Sequence, residues 1–288
     1  MIPSQFEYAK PSSLDETFAL LAQHGSDAKL LAGGHSLVPM MKLRLAEPGI
    51  LIDLAGVPDL AGIAFDGKRF TLGAMTKHAA LAASDDLRKH APVLWDAANV
   101  LGDPQVRNRG TVGGALANGD PACDYAAVMF ALDATFTVAG KNGTRDESAG
   151  DFMLGMFETS LAEDEVLVKI SFDAAKKSAY AKFHHPASHY AMVGVAAVLS
   201  MNGTTIGQAR VGITGVGDHA YRATSVEQTL VGINPTDDAA LKKACAGAAA
   251  GVEVRSEKQA SAEYRSAMAD VYVGRAVRSA AGGNAASK

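Results

Sequence analysis

The sequence predicts an α+β protein, and three observations carry that prediction. Helical and strand-like periods follow one another without a regular strand–helix array. Asn202-Gly203 joins two strand-like runs, Tyr190 to Met201 and Thr204 to Thr214, which is a hairpin signature. The chain has 288 residues, of which 48% are hydrophobic and 20% charged, so a sizeable core is available and wholesale disorder is excluded. At roughly 150 residues each, that length suggests about two domains.

In chain order, Ser13-x-x-Glu16 is a capping box in front of Leu14, Phe18 and Leu21, and Gly25 ends that helix. Lys29 to Ala32 reads as a short buried strand, Ile50 to Leu54 as a second and Arg69 to Met75 as a third. Thr76 to Leu101 has a helical pattern broken near Ser84, where Ser-Asp-Asp supplies a new cap. Asp120-Pro121 opens a further helix, with Asp as cap and Pro in the first turn, that ends near Leu132. Thr135 to Ala139 and Glu165 to Phe172 are expected to pair. After the hairpin come three helices, Ser225 to Val231, Asp237 to Val252 and Ser261 to Ala280, and the tail 282–288 is expected to fray.

Composition removes several function classes. The net charge is −4, and a general nucleic-acid binder would carry a basic excess. Two cysteines, Cys123 and Cys245, make neither a disulfide framework, nor an iron–sulfur site, nor a four-cysteine zinc site. The N-terminal stretch has no apolar signal core, and the longest apolar run, Tyr190 to Leu199, is too short to span a bilayer. The expectation is a cytoplasmic protein with no direct membrane insertion. The tract HHPASH holds His184, His185 and His189, but no Cys or carboxylate stands at ligand spacing beside them, and Pro186 argues for an exposed turn. No metal site is expected.

Two glycine loops are the informative segments. The first is Ala32-Gly33-Gly34-His35-Ser36-Leu37, following a strand. Backbone N–H groups in such a turn can converge on an anion because no Cβ blocks the approach, and Ser36 adds a hydroxyl. An ordinary Gly-Gly turn before a helix fits the same letters. The second is Gln105 to Ala115, a Gly-Gly pair after a strand-compatible residue, with Thr111, Val112, Gly113, Gly114 and Ala115 at its end and Asp124 downstream. Two such loops and a nearby carboxylate suit a diphosphate with its attached polyol. Neither loop is GxGxxG and no GxxxxGK[ST] occurs, so a Rossmann site and a P-loop are unsupported.

The pair AGGHSL and QVRNRGTVGGA resembles the FAD-binding medium subunits of molybdenum hydroxylases, the xanthine dehydrogenase family, over the whole chain. The resemblance implies a two-lobed FAD-binding domain of the vanillyl-alcohol-oxidase (PCMH) type over residues 1–175, with lobes at about 1–60 and 61–175. A C-terminal α+β domain of the carbon monoxide dehydrogenase flavoprotein type, with a small antiparallel sheet, would follow over 176–288. It implies that residues 32–37 and 111–115 hold the FAD diphosphate and that Asp124 bonds the ribityl or ribose hydroxyls. Lys182 would lie at the pyrimidine edge of the flavin, where a positive charge stabilises the reduced anionic ring, and Tyr190 would pack near the isoalloxazine. Taken without the resemblance, Lys182 reads as a solvated strand lysine and Tyr190 as a core tyrosine. Cys123 departs from the family, where Ala or Asn is more frequent.

The same resemblance implies an electron-transfer subunit that takes electrons from [2Fe–2S] clusters on a small iron–sulfur subunit. Substrate would be oxidised at a molybdopterin centre on a large subunit, within a dimer of heterotrimers. A second expectation is a self-contained flavin oxidase with FAD linked covalently through His35, since GGHS also resembles the loop that carries such a link.

Overall fold

The structure is a computed structural model that describes residues 2–282. The expectation of a frayed tail therefore falls, from residue 283 onward, outside the described residues.

A small N-terminal lobe is built on a three-stranded parallel sheet in the order Glu7–Ala9, Ile50–Asp53, Ala28–Leu31. Parallel strands need a crossover, and the helix Leu14–His24 supplies it. Ile50, Leu51 and Ile52 on the central strand are buried, and Phe18 and Leu21 of the helix join the core around Ile50 and Ile52. The Ser13 side chain accepts from Glu16 N–H, as the capping box predicts. The return arm is displaced by one residue: Glu16 accepts from Ser12 N–H at 2.7 Å. Gly25 ends the helix at φ +52°, a conformation that suits glycine.

The second lobe is a five-stranded antiparallel sheet in the order Ile63–Phe65, Arg69–Gly73, Val166–Asp173, Thr135–Gly140, Gly143–Ser148. Its last strand in sequence is thus its central one, and Phe136 stands opposite Ile170 as the predicted pairing requires. Helices cover one face, and Phe70, Leu72, Leu94, Tyr125, Phe136, Phe152 and Phe172 fill the core beneath them.

A four-stranded antiparallel sheet follows in the order Ser178–His184, Ala191–Asn202, Thr205–Thr214, Tyr221–Arg222. The Asn202-Gly203 turn is present, with Gly203 at φ +61°. The long helix Ala262–Ala280 packs on this sheet. Helices Pro92–Asn99 and Asp124–Ala131 of the second lobe also pack on it. That double cover explains why Ala191 to Leu199 is an unbroken buried run of apolar residues and glycine. Gly212 belongs to this packing, because a Cβ there would run into the carbonyl of Ala127.

Four expectations require correction. The pattern over 76–101 is three short helices, His78–Ala82, Asp85–His90 and Pro92–Asn99, because Ser84 caps the second and Pro92 starts the third. Asp120 does not cap a helix: its carboxylate accepts from Ala122 N–H and closes a turn, and the helix starts at Asp124 behind Cys123. The segment before Gly110 is a helix, Pro104–Arg109, capped by Asp103. The helix expected to Val252 stops after Asp238–Ala244, and glycines at positive φ, Gly247 and Gly251, follow it.

Candidate functional site

The two glycine loops meet backbone to backbone. A Cβ on Gly33 would lie 2.5 Å from the carbonyl oxygen of Arg109 and 2.6 Å from Gly110 Cα, and one on Gly114 would lie 3.0 Å from Ala32 Cβ. Only glycine permits that approach at positions 33 and 114. The loops share a cavity of about 620 Å³, bordered by Ala32 to Leu37, Thr111 and Gly113 to Ala115. Such a volume falls within the range of small-molecule and cofactor sites.

The loops differ in how their donors are used. In the second loop Val112 N–H donates to Thr76 O, Gly113 N–H to Ala74 O, Gly114 N–H to Thr111 Oγ1 and Ala115 N–H to Thr111 O. In the first, the N–H groups of Gly33, Gly34, His35 and Ser36 have no acceptor among the described residues. Four consecutive unpaired donors beside a cavity form a cradle for an anion or another acceptor-rich group. The residues present therefore fit the FAD diphosphate at the first loop, with the second as the fixed wall against it. Gly34, at φ +76°, makes the turn that aligns these donors.

Val112 is a core residue, and Asp124, Lys182 and Tyr190 lie outside the cavity lining. Lys182 Nζ donates to Asp124 Oδ2 at 2.9 Å, and the Tyr180 hydroxyl donates to Asp124 Oδ1 at 2.6 Å. The charged side chains are 4% and 6% exposed. Burial pushes the Asp124 carboxyl up from its ordinary value, against the opposing pull of Lys182 and Tyr180. Room for the Tyr180 hydroxyl comes from Gly194, where a Cβ would collide with it. Tyr190 is 53% exposed, and its hydroxyl is pushed up by partial burial and then by the neighbouring carboxylates Asp120 and Asp124. His35 is exposed, with its Nδ1 3.3 Å from Gly33 O.

Three features carried no signal in the sequence. His78 is buried at the cavity wall with its Nδ1 3.1 Å from the hydroxyl of Tyr125, which is fully buried. Asp96 accepts from Tyr180 N–H at 3.2 Å, and burial pushes its carboxyl up to about 6. The hairpin tip after Met153–Gly155 carries Phe157 at φ +57°, 60% exposed, at the cavity mouth. In the HHPASH tract, His185 Nδ1 accepts from Ala187 and Ser188 N–H and closes an exposed turn. No group of three metal-ligating side chains occurs among the described residues, and no helix among them is long and apolar enough to cross a membrane.

Comparison with known proteins places this geometry. Residues 4–172 match the family described as the FAD binding domain in molybdopterin dehydrogenase, and residues 178–280 match the CO dehydrogenase flavoprotein C-terminal domain. The chain is 42% identical to the carbon monoxide dehydrogenase medium chain of Hydrogenophaga pseudoflava, over 97% of this chain and 98% of that one. It superposes on a chain of the reconstituted CO dehydrogenase from Oligotropha carboxidovorans with a TM-score of 0.93 at 39% identity, covering 98% of this chain and 99% of that one. A chain of quinoline 2-oxidoreductase from Pseudomonas putida 86 superposes with a TM-score of 0.92 at 33% identity, covering 98% and 99%.

Proposed function

Because this chain belongs to the family of FAD-binding medium chains of molybdenum hydroxylases, we propose how its residues divide the work of holding that flavin. The chain is the flavin-carrying, electron-transferring subunit of a multi-subunit oxidoreductase whose iron–sulfur and molybdopterin centres belong to partner subunits. When bound, FAD supplies two-electron redox chemistry between the partner's [2Fe–2S] clusters and an external acceptor. The reading of a self-contained oxidase tethered at His35 is set aside, since the relatives compared are medium chains of larger enzymes.

The observation that carries the residue assignment is the row of four unpaired N–H groups at Gly33 to Ser36. In this proposal Ala32 to Leu37 take the diphosphate, and Thr111 to Ala115 hold the opposite wall at fixed distance. Asp124, behind the cavity lining and held by Lys182 and Tyr180, bonds the ribityl or ribose hydroxyls. Lys182 sets a cation at the pyrimidine edge of the flavin, and Tyr190, half exposed, packs near the isoalloxazine. The FAD-binding part is residues 1–175, in lobes of about 1–60 and 61–175, and the C-terminal domain is 176–288. The assembly is a dimer of heterotrimers in the cytoplasm. Its substrate is of the class handled by the relatives' molybdenum subunits: carbon monoxide, an aldehyde or an N-heterocycle.

Acid precipitation of the complex purified with its partner subunits tests the flavin assignment. One free FAD per copy of this chain in the supernatant is expected. Yellow colour retained by the precipitate, or no flavin at all, overturns the noncovalent FAD site.

A further inference from the structure

In the second loop the N–H groups of Val112 to Ala115 are spent within the protein, which leaves few backbone donors on the wall facing the first loop. We infer that His78 supplies a further donor: a neutral imidazole whose Nε2–H hydrogen-bonds an oxygen of the FAD diphosphate, with Tyr125 as the positioning residue that fixes its tautomer. This inference rests on the FAD assignment above.

The tautomer follows from counting hydrogen-bond partners. Tyr125 is fully buried, and its hydroxyl has a single partner among the described residues, His78 Nδ1 at 3.1 Å. A buried hydroxyl proton left unpaired is costly, so it goes to Nδ1, which must then be the unprotonated nitrogen. The ring proton of neutral His78 therefore sits on Nε2. Enclosed side-chain polar atoms without a partner, among the described residues, are His90 Nδ1 and Arg265 Nε. His78 Nε2 is not one of them although it has no protein partner, so it keeps an opening, and the cavity is what His78 borders.

Its position relative to the cradle is set by Gly110. A Cβ on Gly110 would run into His78 Nε2, while a Cβ on Gly33 would fall 2.6 Å from Gly110 Cα. His78 Nε2 and Gly33, the first residue of the cradle, thus both stand against Gly110. His78 N–H also donates to Gly110 O at 3.0 Å, which holds the ring's helix against that residue. The donors gathered at this end of the cavity, Nε2–H and the unpaired N–H groups of the first loop, select an acceptor. The diphosphate is the part of FAD that only accepts, whereas ribityl and ribose hydroxyls both donate and accept. Burial, with His35 and Arg107 nearby, depresses the His78 imidazolium to about 4, so the ring stays a neutral donor at ordinary pH.

The test uses the full complex of this chain with its partner subunits, stripped of flavin and titrated with FAD, ADP and riboflavin. ADP shares the diphosphate and riboflavin lacks it. His78→Phe is expected to raise the dissociation constants of FAD and ADP by a common factor of roughly ten to a hundred, and to leave riboflavin unchanged. His78→Gln, whose amide N–H reaches the place of Nε2–H, is expected to restore most of the affinity. His78→Asn, whose amide reaches only the place of Nδ1, is not. Unchanged FAD affinity in His78→Phe overturns the inference, as does a loss that glutamine fails to restore or that riboflavin shares. A wild-type complex that takes up neither FAD nor ADP overturns the FAD assignment first and this inference with it.

Discussion

Asp124 shows what a buried carboxylate can and cannot do alone. Its two oxygens are taken by Lys182 and Tyr180, and the ammonium and carboxylate are both nearly enclosed. Removing one partner of such a pair typically costs about 3–5 kcal/mol, because the other charge is left unpaired. Lys182→Met should therefore lower the melting temperature. It should also lower the flavin reduction potential by roughly tens of millivolts, since about 30 mV corresponds to 1.4 kcal/mol for a two-electron couple. Asp124→Asn/Lys182→Met removes both charges and should recover much of that shift. Spectroelectrochemical titration of the three proteins decides the point, and identical potentials place the pair beyond reach of the flavin. Asp96 gives a pH signature. Its carboxyl is raised from 3.8 to about 6 by burial, so the folded state holds a proton that the unfolded state releases. Stability from this group is complete below about pH 4 and lost as pH rises to 6, a change of up to about 3 kcal/mol. Asp96→Asn keeps an acceptor for Tyr180 N–H, so it should melt higher than wild type at pH 7.5, with the gap shrinking by pH 5. Equal melting temperatures at both pH values would contradict the argument. Neither Asp96 nor the His78–Tyr125 pair was legible in the sequence, because their partners lie 84 and 47 residues away.

Among the elements, those with a local cause were read correctly. The Ser13 cap, the Gly25 stop and the Asn202-Gly203 turn each follow from a few adjacent residues. The failures share a different cause. Asp120 has the letters of a cap, but its carboxylate is satisfied within a turn two residues on. The helix Pro104–Arg109 is short, and its boundaries depend on Asp103 and on the loop contact at Gly33. For the glycine loops, residue type announced a close backbone approach without saying to what. Much of that approach is one loop to the other. This separates two variants that look alike on paper. Gly34→Val places a branched residue at φ +76°, a strain of about 1–3 kcal/mol located at the unpaired donors. Gly114→Val collides with Thr111 Oγ1 and Ala32 Cβ, and so parts the loops. Both should lose FAD, and Gly114→Val should also melt lower than Gly34→Val in the absence of flavin. Extracted flavin per chain, together with thermal melts of the stripped proteins, provides the check. Stoichiometric FAD in both variants removes the loops from the site.

At the scale of the whole molecule, the sequence boundary near residue 175 is not a gap in packing. Tyr180, Ala196 and Val198 of the C-terminal sheet, with Ala220 just before its last strand, belong to the same buried cluster as Phe70 and Phe136 of the second lobe. Ala139 and Val166 of that lobe in turn join the core of the first. The surface, by contrast, carries exposed Leu43, Leu45, Leu154, Met156 and Phe157, apolar area of the kind a subunit interface covers. Expression of the chain alone should therefore give poorly soluble or flavin-poor protein, and co-expression with both partners one FAD per copy. Size-exclusion chromatography with flavin quantification reads this directly. A soluble, FAD-saturated monomer that ignores the iron–sulfur partner would exclude the electron relay.

The doubly covered strand Ala191–Asn202 has a consequence for how such measurements are made. Its amide hydrogens from Ala191 to Leu199 lie between two layers of helices, and no local fluctuation exposes them without separating the lobes from the C-terminal helix. Their exchange with deuterium should proceed only through global opening and give the slowest signals in the chain. The unpaired amides of Gly33 to Ser36 sit at the other extreme and should exchange within the first seconds until a ligand accepts from them. A single deuterium time course thus carries its own internal standard. Protection gained at residues 33–36 with no change at 191–199 reports ligand capture, whereas slowing at both reports stabilisation of the entire fold.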